Sequence, residues 1–190
     1  MWLFGTLLTL LGSNVALADD HQGTSIDFNQ FRPPPDGYGY FSTPSASSFR
    51  HLQLGVSLWT DYQNDPLVFT LNGSRINLGQ SDELTGPIEH RLNGHLQLAM
   101  GFFNHLALAV ELPLIFWQHG YSLDFENNGA RRPLTPSGVG DIRLNGKVVV
   151  LDRDKMPIGL ALAIPVSLPT GADYDYLGEG GMSMTPMGII

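Results

Sequence analysis

The stretch that decides the fold runs from His90 to Trp117 and reads HRLNGHLQLAMGFFNHLALAVELPLIFW. Large apolar side chains take most of its even-numbered positions, and most odd-numbered positions carry polar or small ones. The even set is Leu92, Leu96, Leu98, Met100, Phe102, Leu106, Leu108, Val110, Leu112, Leu114 and Phe116. Successive side chains of a β-strand point to opposite faces, so this alternation predicts two strands that share one apolar face.

The same parity recurs elsewhere and predicts about six strands in all. They are expected at residues 51–62, 88–102, 106–118, 138–151 and 157–168, with a last one from 182 onward. A strand needs about 9–11 residues to cross a bilayer at the usual tilt, and most of these runs have that length. An apolar outer face and a polar or small inner face are typical of a transmembrane β-barrel.

The lengths of the connections support the same prediction. Long polar loops at 63–87 and 119–137 alternate with short turns at 103–105 and 152–156, and a medium loop covers 169–181. Outer-membrane barrels have long outer loops and short periplasmic turns. The sequence therefore predicts an all-β, antiparallel up-and-down transmembrane β-barrel.

Parity also predicts the register across the turn at 103–105. Both flanking strands direct even-numbered residues outward, so facing residues must have numbers with an even sum. We expect a turn of three residues, with Phe102 opposite Leu106 and Asn104 or His105 in a left-handed conformation. Glu111 then faces Gln97.

The N-terminal part of the chain divides into two segments before the strands begin. Residues 1–18 read as a signal peptide, with a short apolar core and the small-x-small site Ala16-Leu17-Ala18; a buried N-terminal helix is the alternative. Residues 19–48 are polar and contain three consecutive prolines from Pro33, which predicts a periplasmic linker. Residues 49–190 form the barrel, and six strands are fewer than the roughly eight of the smallest single-chain bacterial barrels. This sequence is therefore expected to be the truncated front part of a barrel.

The bulk composition excludes several kinds of protein. The 190 residues carry a net charge of −8, which argues against nucleic-acid binding, and contain no cysteine for disulfides or thiolate metal sites. No Gly-x-Ser-x-Gly motif is present, and no spacing marks a catalytic triad, so no enzyme and no cofactor are expected. His90, His95 and His105 are not expected to converge on a metal, and Asp173, Asp175 and Glu179 are read as a solvated loop.

Six polar side chains fall on the predicted inner face and are the candidate site. They are Arg91, His95, Gln97, Glu111, Arg143 and Lys147. A charge inside a barrel is costly unless it is paired or hydrated. The set therefore has two interpretations: a charged lining that tunes solute passage, or a packed salt-bridge network in a closed barrel.

Short motifs resemble a known family. They are Phe31-Arg32-Pro33-Pro34-Pro35, Asp65-Pro66-Leu67-Val68, Gly138-Val139-Gly140-Asp141-Ile142-Arg143-Leu144, Leu168-Pro169-Thr170-Gly171 and Leu177-Gly178-Glu179-Gly180-Gly181. In this order they resemble the N-terminal barrel of OmpA-family outer-membrane proteins. The Gly-x-Gly-Asp and Leu-Pro-Thr-Gly pieces are also similar to barrel proteins associated with meta-cleavage pathways for aromatic compounds. The peptidoglycan-binding domain of OmpA-like proteins has no counterpart in these residues, so that activity is not carried over.

Pattern and resemblance together predict a protein of the bacterial outer membrane with a structural or porin-like passive-channel role. Its expected partners are outer-membrane lipid and the barrel assembly machinery, with no nucleic acid. Self-association is the expected route to closure if the chain stands alone. The alternative is a soluble secreted β-sandwich that binds carbohydrate or protein, in which a second sheet would bury the apolar face.

Overall fold

The computed structural model describes residues 29, 31–34, 36–37, 39–47, 49–68, 70–72, 74–75, 87–125, 131–172 and 175–190. The predicted signal peptide lies outside these residues. Within them the chain is all-β and antiparallel, as predicted, and no α-helix occurs. No described segment is therefore a helix that could span a membrane.

Thirteen strands are present in the described residues. In chain order they are β1 (Gly39–Tyr40), β2 (Thr43–Pro44), β3 (Leu54–Asn64), β4 (Thr70–Leu71), β5 (Ser74–Arg75), β6 (Ile88–Phe102), β7 (Leu106–Phe125), β8 (Arg131–Pro133), β9 (Gly138–Val139), β10 (Ile142–Leu151), β11 (Leu160–Leu168), β12 (Ser183–Met184) and β13 (Met187–Ile189). β1 pairs with β2 and β4 with β5, each as a separate two-stranded sheet.

The other strands form one main sheet of nine strands, in the order β12-β11-β10-β7-β6-β3. β13 also pairs with β11, and β8 and β9 pair with β7. The long strands are neighbours in the order in which they occur along the chain, which is the up-and-down arrangement predicted from the short turns. Within the described residues the sheet is not closed into a barrel, because its path ends at β3 on one side and at β12 and β13 on the other.

The predicted register across the first short turn is confirmed. Phe102 faces Leu106, and Gln97 faces Glu111 on the same pair of strands. Asn104 has a left-handed φ of 59°, and Phe103 before it has a φ of 54°. Two left-handed residues in succession let a three-residue turn reverse the chain while both strands keep the same outward face.

One strand is longer than predicted. Residues 119–125 were expected to begin a loop, whereas β7 continues through them to Phe125 and pairs there with β8. A register shift between the pairs Leu92–Trp117 and Asn93–Ile115 places an extra residue, Phe116, in β7. Such a bulge reverses the parity of the residues that follow. Gln118 is consequently buried although its number is even.

The two faces of the main sheet differ sharply in exposure. The even-numbered apolar residues of β3, β6, β7, β10 and β11 lie on the open face, and Val56 is 72% and Leu98 52% exposed. Most polar and small residues of the opposite face are buried on β6, β7, β10 and β11, and those on the edge strand β3 are partly buried. That covered face is where the core of the protein lies.

The core is formed with the described residues between 29 and 50, which we call the inner segment. Ala46 packs against Val149, Ala161 and Ala163 of the covered face. Phe49 packs against Ala99 and Ala109. These contacts were not predicted, because residues 19–48 were expected to form a linker. The boundaries of that linker remain a prediction.

Candidate functional site

All six candidate side chains lie on the covered face of the main sheet. Arg91, His95, Gln97, Glu111 and Lys147 are buried, and the Arg143 side chain is nearly so. We call the end of the sheet near Ile88 and Gln118 the upper end, and the end at the turn 103–105 the lower end. His95, Gln97, Glu111 and Arg143 meet at the centre of the face, whereas Arg91 lies toward the upper end and Lys147 toward the lower end.

The centre of the face is organised around His95. Its Nδ1 lies 2.9 Å from Glu111 Oε1, and its Nε2 lies 3.0 Å from Asp61 Oδ1. Arg143 Nη1 donates to the same Glu111 oxygen at 3.1 Å. Ionised carboxylates only accept hydrogen bonds, so both ring nitrogens donate when the histidine is an imidazolium. In that form the positive charges of His95 and Arg143 balance the negative charges of Asp61 and Glu111.

This central network is unsuited to nucleophilic catalysis. Both nitrogens of His95 face carboxylates, so the ring has no free nitrogen with which to take a proton from a hydroxyl group. The hydroxyl of Ser57 donates instead to Gln97 Oε1 at 2.8 Å. Gln97 Nε2 in turn donates to Glu111 Oε2 at 3.3 Å. The arrangement neutralises buried charge and holds β3, β6, β7 and β10 together.

At the upper end, Arg91 and Gln118 hold the loop that follows β11. Arg91 donates to Gln118 Oε1 from Nε at 3.1 Å and from Nη2 at 2.6 Å, and its Nη2 also donates to the Tyr176 carbonyl at 2.9 Å. Gln118 Nε2 donates to the Asp175 carbonyl at 3.2 Å. Tyr176 is buried against Ile88 and Leu134. The loop is therefore folded over the upper end of the covered face.

Asp141 connects the same loop to the sheet. Its carboxylate accepts hydrogen bonds from the backbone N–H groups of Thr170 at 3.0 Å, Gly171 at 2.8 Å and Glu179 at 2.6 Å. A side chain on Gly178 would collide with this carboxylate. Three motifs that are separate in the sequence thus meet at one side chain. Their joint role in this structure is to anchor the loop.

At the lower end, Lys147 is 1% exposed and is bound by the inner segment. Its ammonium forms an ion pair with the Asp36 carboxylate, which is also 1% exposed. It also donates to the carbonyl of Ser45 at 3.0 Å and to that of Ser47 at 2.6 Å. These three acceptors match the three donors of an ammonium group.

The inner segment contacts the covered face from its upper to its lower end. Asn29 accepts a hydrogen bond from Gln63 at 3.3 Å near the upper end, and Phe31 packs edge-on against His95 with 5.8 Å between ring centroids. The Pro33 carbonyl accepts from Gln97 at 3.4 Å. Ser47 then donates to Asp154, in the lower turn 152–156, at 3.3 Å. The segment therefore runs along the length of the polar face.

A cavity of about 120 Å³ remains between the inner segment and strands β10 and β11. Five charged residues line it, of which Arg32, Arg143 and Lys147 are cationic and Asp36 and Glu111 are anionic. Much of the rest of the wall is apolar, formed by Pro33, Pro34, Pro44, Ala163, Pro165 and Met187. The cavity therefore combines charged groups with apolar walls.

The histidines are spread over the sheet. His90 stacks between Tyr62 and Trp117, at centroid distances of 6.0 and 6.1 Å. His105 bonds to the Phe103 carbonyl in the lower turn, far from the central His95. In the part of the chain that the structure describes, no group of three or more His, Cys, Asp or Glu residues could hold a metal ion.

Four residues of this site were not among the sequence-based candidates. Asp61 has the right parity in the first strand and could have been found from it. Asp141 stands in a quoted motif, but its role depends on a loop about 30 residues away. Gln118 was hidden by the bulge at Phe116. No local pattern connects Asp36 with Lys147, because that contact joins segments more than a hundred residues apart.

Comparisons with known proteins found no matching family model, no similar curated protein and no similar solved structure.

Proposed function

We propose that this chain forms the wall of a β-barrel that spans the bacterial outer membrane. One observation carries the proposal: the main sheet exposes its apolar face and covers its polar one. Burial of apolar surface is the dominant favourable term in folding, so a sheet stable in water places its apolar face inside. A sheet surrounded by hydrocarbon places its apolar face outside and its polar face inside.

Strand length supports the same environment. β3 has 11 residues, β10 has 10 and β11 has 9. These lengths agree with the roughly 9–11 residues that a tilted strand needs to cross a bilayer. The exposed apolar residues on β3, β6, β7, β10 and β11 form one band across neighbouring strands, which suits a continuous lipid contact.

Aromatic residues lie near both limits of this band. The stacked rings of Tyr62, His90 and Trp117 cross three adjacent strands near the upper end. Phe103 is exposed at the lower turn, where its ring stacks on that of His51 at 5.5 Å. Tyrosine and tryptophan rings, with an apolar body and a polar edge, favour the membrane–water interface, and aromatic residues flank the apolar band of outer-membrane barrels at both interfaces.

The proposal includes further strand pairing at both edges of the sheet. Within the described sheet, β3 pairs only with β6, and β12 and β13 pair only with β11. Unpaired backbone groups in hydrocarbon cost several kcal/mol each, so a membrane-spanning sheet requires closure. Strands outside the described sheet or a second copy of the chain supply that closure in this proposal.

Between a structural wall and a passive channel, the contacts of the inner segment favour a closed interior. The segment covers the polar face from Asn29 to Ser47 and satisfies buried groups along it. The resting barrel is thus a structural wall, and passage of solutes would require the inner segment to move. Outer-membrane lipid and the barrel assembly machinery are the partners that this role implies.

The soluble β-sandwich is the competing function, and the exposed faces separate the two. A sandwich would cover the apolar face with a second sheet. In the described residues the inner segment covers the polar face instead.

Cell fractionation tests the membrane proposal. The chain, expressed in a Gram-negative host, should sediment with the outer membrane, resist extraction by urea and dissolve only in detergent. Its mobility in gels should change on heating, as expected for a folded membrane sheet. Recovery of folded protein from the soluble periplasmic fraction without detergent would refute the membrane wall and favour the sandwich.

A further inference from the structure

The buried ammonium of Lys147 requires an anionic partner. Its partners across the neighbouring strands are Ala107 on β7 and Ala163 on β11, both small and uncharged. The nearby Glu111 is engaged with His95, Gln97 and Arg143. A buried ammonium without an anion is strongly unfavourable, and the carbonyls of Ser45 and Ser47 carry no net charge.

Asp36, which belongs to the inner segment, supplies this anion. A carboxylate tethered to the same chain has an effective concentration in the millimolar range or above, so it holds the position without high intrinsic affinity. Because the neighbouring side chains of Ala107 and Ala163 are small, there is space around the Lys147 ammonium. Asp36 occupies part of this space, and the adjacent cavity of about 120 Å³ is the remainder.

We propose that Lys147 is a binding site for small carboxylates, and that Asp36 occupies it as a tethered ligand. A free carboxylate that takes the place of Asp36 removes the ion pair that fastens the inner segment to β10. Binding at this site therefore competes with the covered state of the polar face. The site lies on that face and does not depend on the membrane proposal; only its consequence for solute passage does.

The cavity indicates which carboxylates fit. Its apolar wall, with Pro44, Pro165 and Met187, faces a short hydrocarbon tail, while the ammonium faces the head group. An apolar cavity of about 150 Å³ is known to admit benzene, so the space here suits a tail of a few carbons. We expect monocarboxylates of two to about four carbons to bind best.

The test uses full-length Asp36→Ala, which empties the tethered position. Its thermal unfolding is followed by tryptophan fluorescence with acetate, propionate, butyrate or chloride at equal ionic strength. The variant should be stabilised by the carboxylates, with the apparent Kd falling about fourfold for each added methylene. Chloride should give much less stabilisation, and the wild type should show no response over the same concentrations.

The double variant Asp36→Ala/Lys147→Ala is the matched control, because it removes the cation together with the tether. It should not respond to carboxylates. An equal response of single and double variants, or an equal response to chloride and butyrate, would overturn the proposal. If Asp36→Ala does not fold without a ligand, its refolding yield is measured with acetate, propionate, butyrate and chloride in place of the unfolding midpoint. A yield that is the same with all four anions would also overturn the proposal. A chain found soluble in the periplasm would refute the membrane wall and leave this result unaffected.

Discussion

Leu98 and Gln97 are neighbours in β6, yet Leu98 is 52% exposed and Gln97 is 1% exposed. The same contrast separates Leu108 from Ala107, and a weaker one separates the exposed Val56 from the partly buried Ser57. Alternation of this kind also occurs in soluble sheets, where the apolar residue is the buried one. Comparison of the two faces shows that period and exposure are separate properties: the period defines the strands, and the direction of exposure indicates the solvent.

Within the covered face, the centre and the lower end satisfy their charges in different ways. The sheet supplies all four charged groups of the central network, Asp61, His95, Glu111 and Arg143. At the lower end the sheet supplies Lys147, and the inner segment supplies Asp36. The first network stabilises the sheet itself, whereas the second links the sheet to a separate segment of the chain.

The largest effect is expected from loss of the shared acceptor at the centre. Glu111→Ala leaves the buried His95 and Arg143 without their common carboxylate, and removal of one partner of a buried ion pair costs about 3–5 kcal/mol. The free energy of unfolding in detergent, from denaturant titration, should fall by that amount. Asp61 then remains as a carboxylate partner of His95 in the network.

Glu89→Ala is the control for this substitution. Glu89 pairs with the exposed His119 at 2.9 Å, and such a surface pair contributes about 0–1 kcal/mol. If both alanine variants lose the same stability, the central network is not the stabilising feature of the covered face.

A charge on the open face gives the next largest effect and tests what surrounds it. In a bilayer, Leu98→Arg should cost about 2–4 kcal/mol, because an arginine near the midplane must be desolvated or must distort the lipid. In water the same change at an exposed position should stay within about 0.5 kcal/mol. The yield of folded, heat-modifiable protein in the outer membrane measures the difference.

Met156→Arg is the matched comparison, because Met156 is exposed in the lower turn beyond the strands. It introduces the same side chain outside the apolar band. Equal folded yields of the two arginine variants would show that the open face does not contact lipid.

Strand direction, faces and the first turn could be predicted from the sequence because they depend on local alternation. Phe102 opposite Leu106 follows from parity alone, as does the shared face of Arg91 and Glu111. The extension of β7 to Phe125 could not be predicted, because the bulge at Phe116 reverses the parity beyond it. A pattern of period two carries no information once a residue is inserted.

The covered face shows a second limit of the sequence. The contacts of Lys147 with residues 36, 45 and 47 depend on how a proline-rich segment without periodicity crosses the sheet. Composition suggested a linker there because polar, proline-rich segments rarely form strands or helices. Packing of such a segment is determined by the groups that it satisfies, and those become known only with the sheet in place.

The smallest of the three effects concerns the loop over the upper end. Asp141→Asn replaces an oxygen that accepts backbone N–H groups with an amide nitrogen that also donates, so at least one of these hydrogen bonds is lost. Hydrogen bonds to charged groups contribute about 1.5–3 kcal/mol, and we expect a loss in that range. Because the carboxylate holds residues 170, 171 and 179, the loss should appear first as local opening of the loop. Limited proteolysis should therefore cut within 169–181 faster in this variant, with the strands still protected.

Asp152→Asn, which alters an exposed pair with Lys155, should leave the cleavage rate unchanged. Cleavage as slow in Asp141→Asn as in the wild type would mean that Arg91 and Gln118 hold the loop without Asp141. The upper end would then depend on the sheet's buried polar side chains, as the centre does.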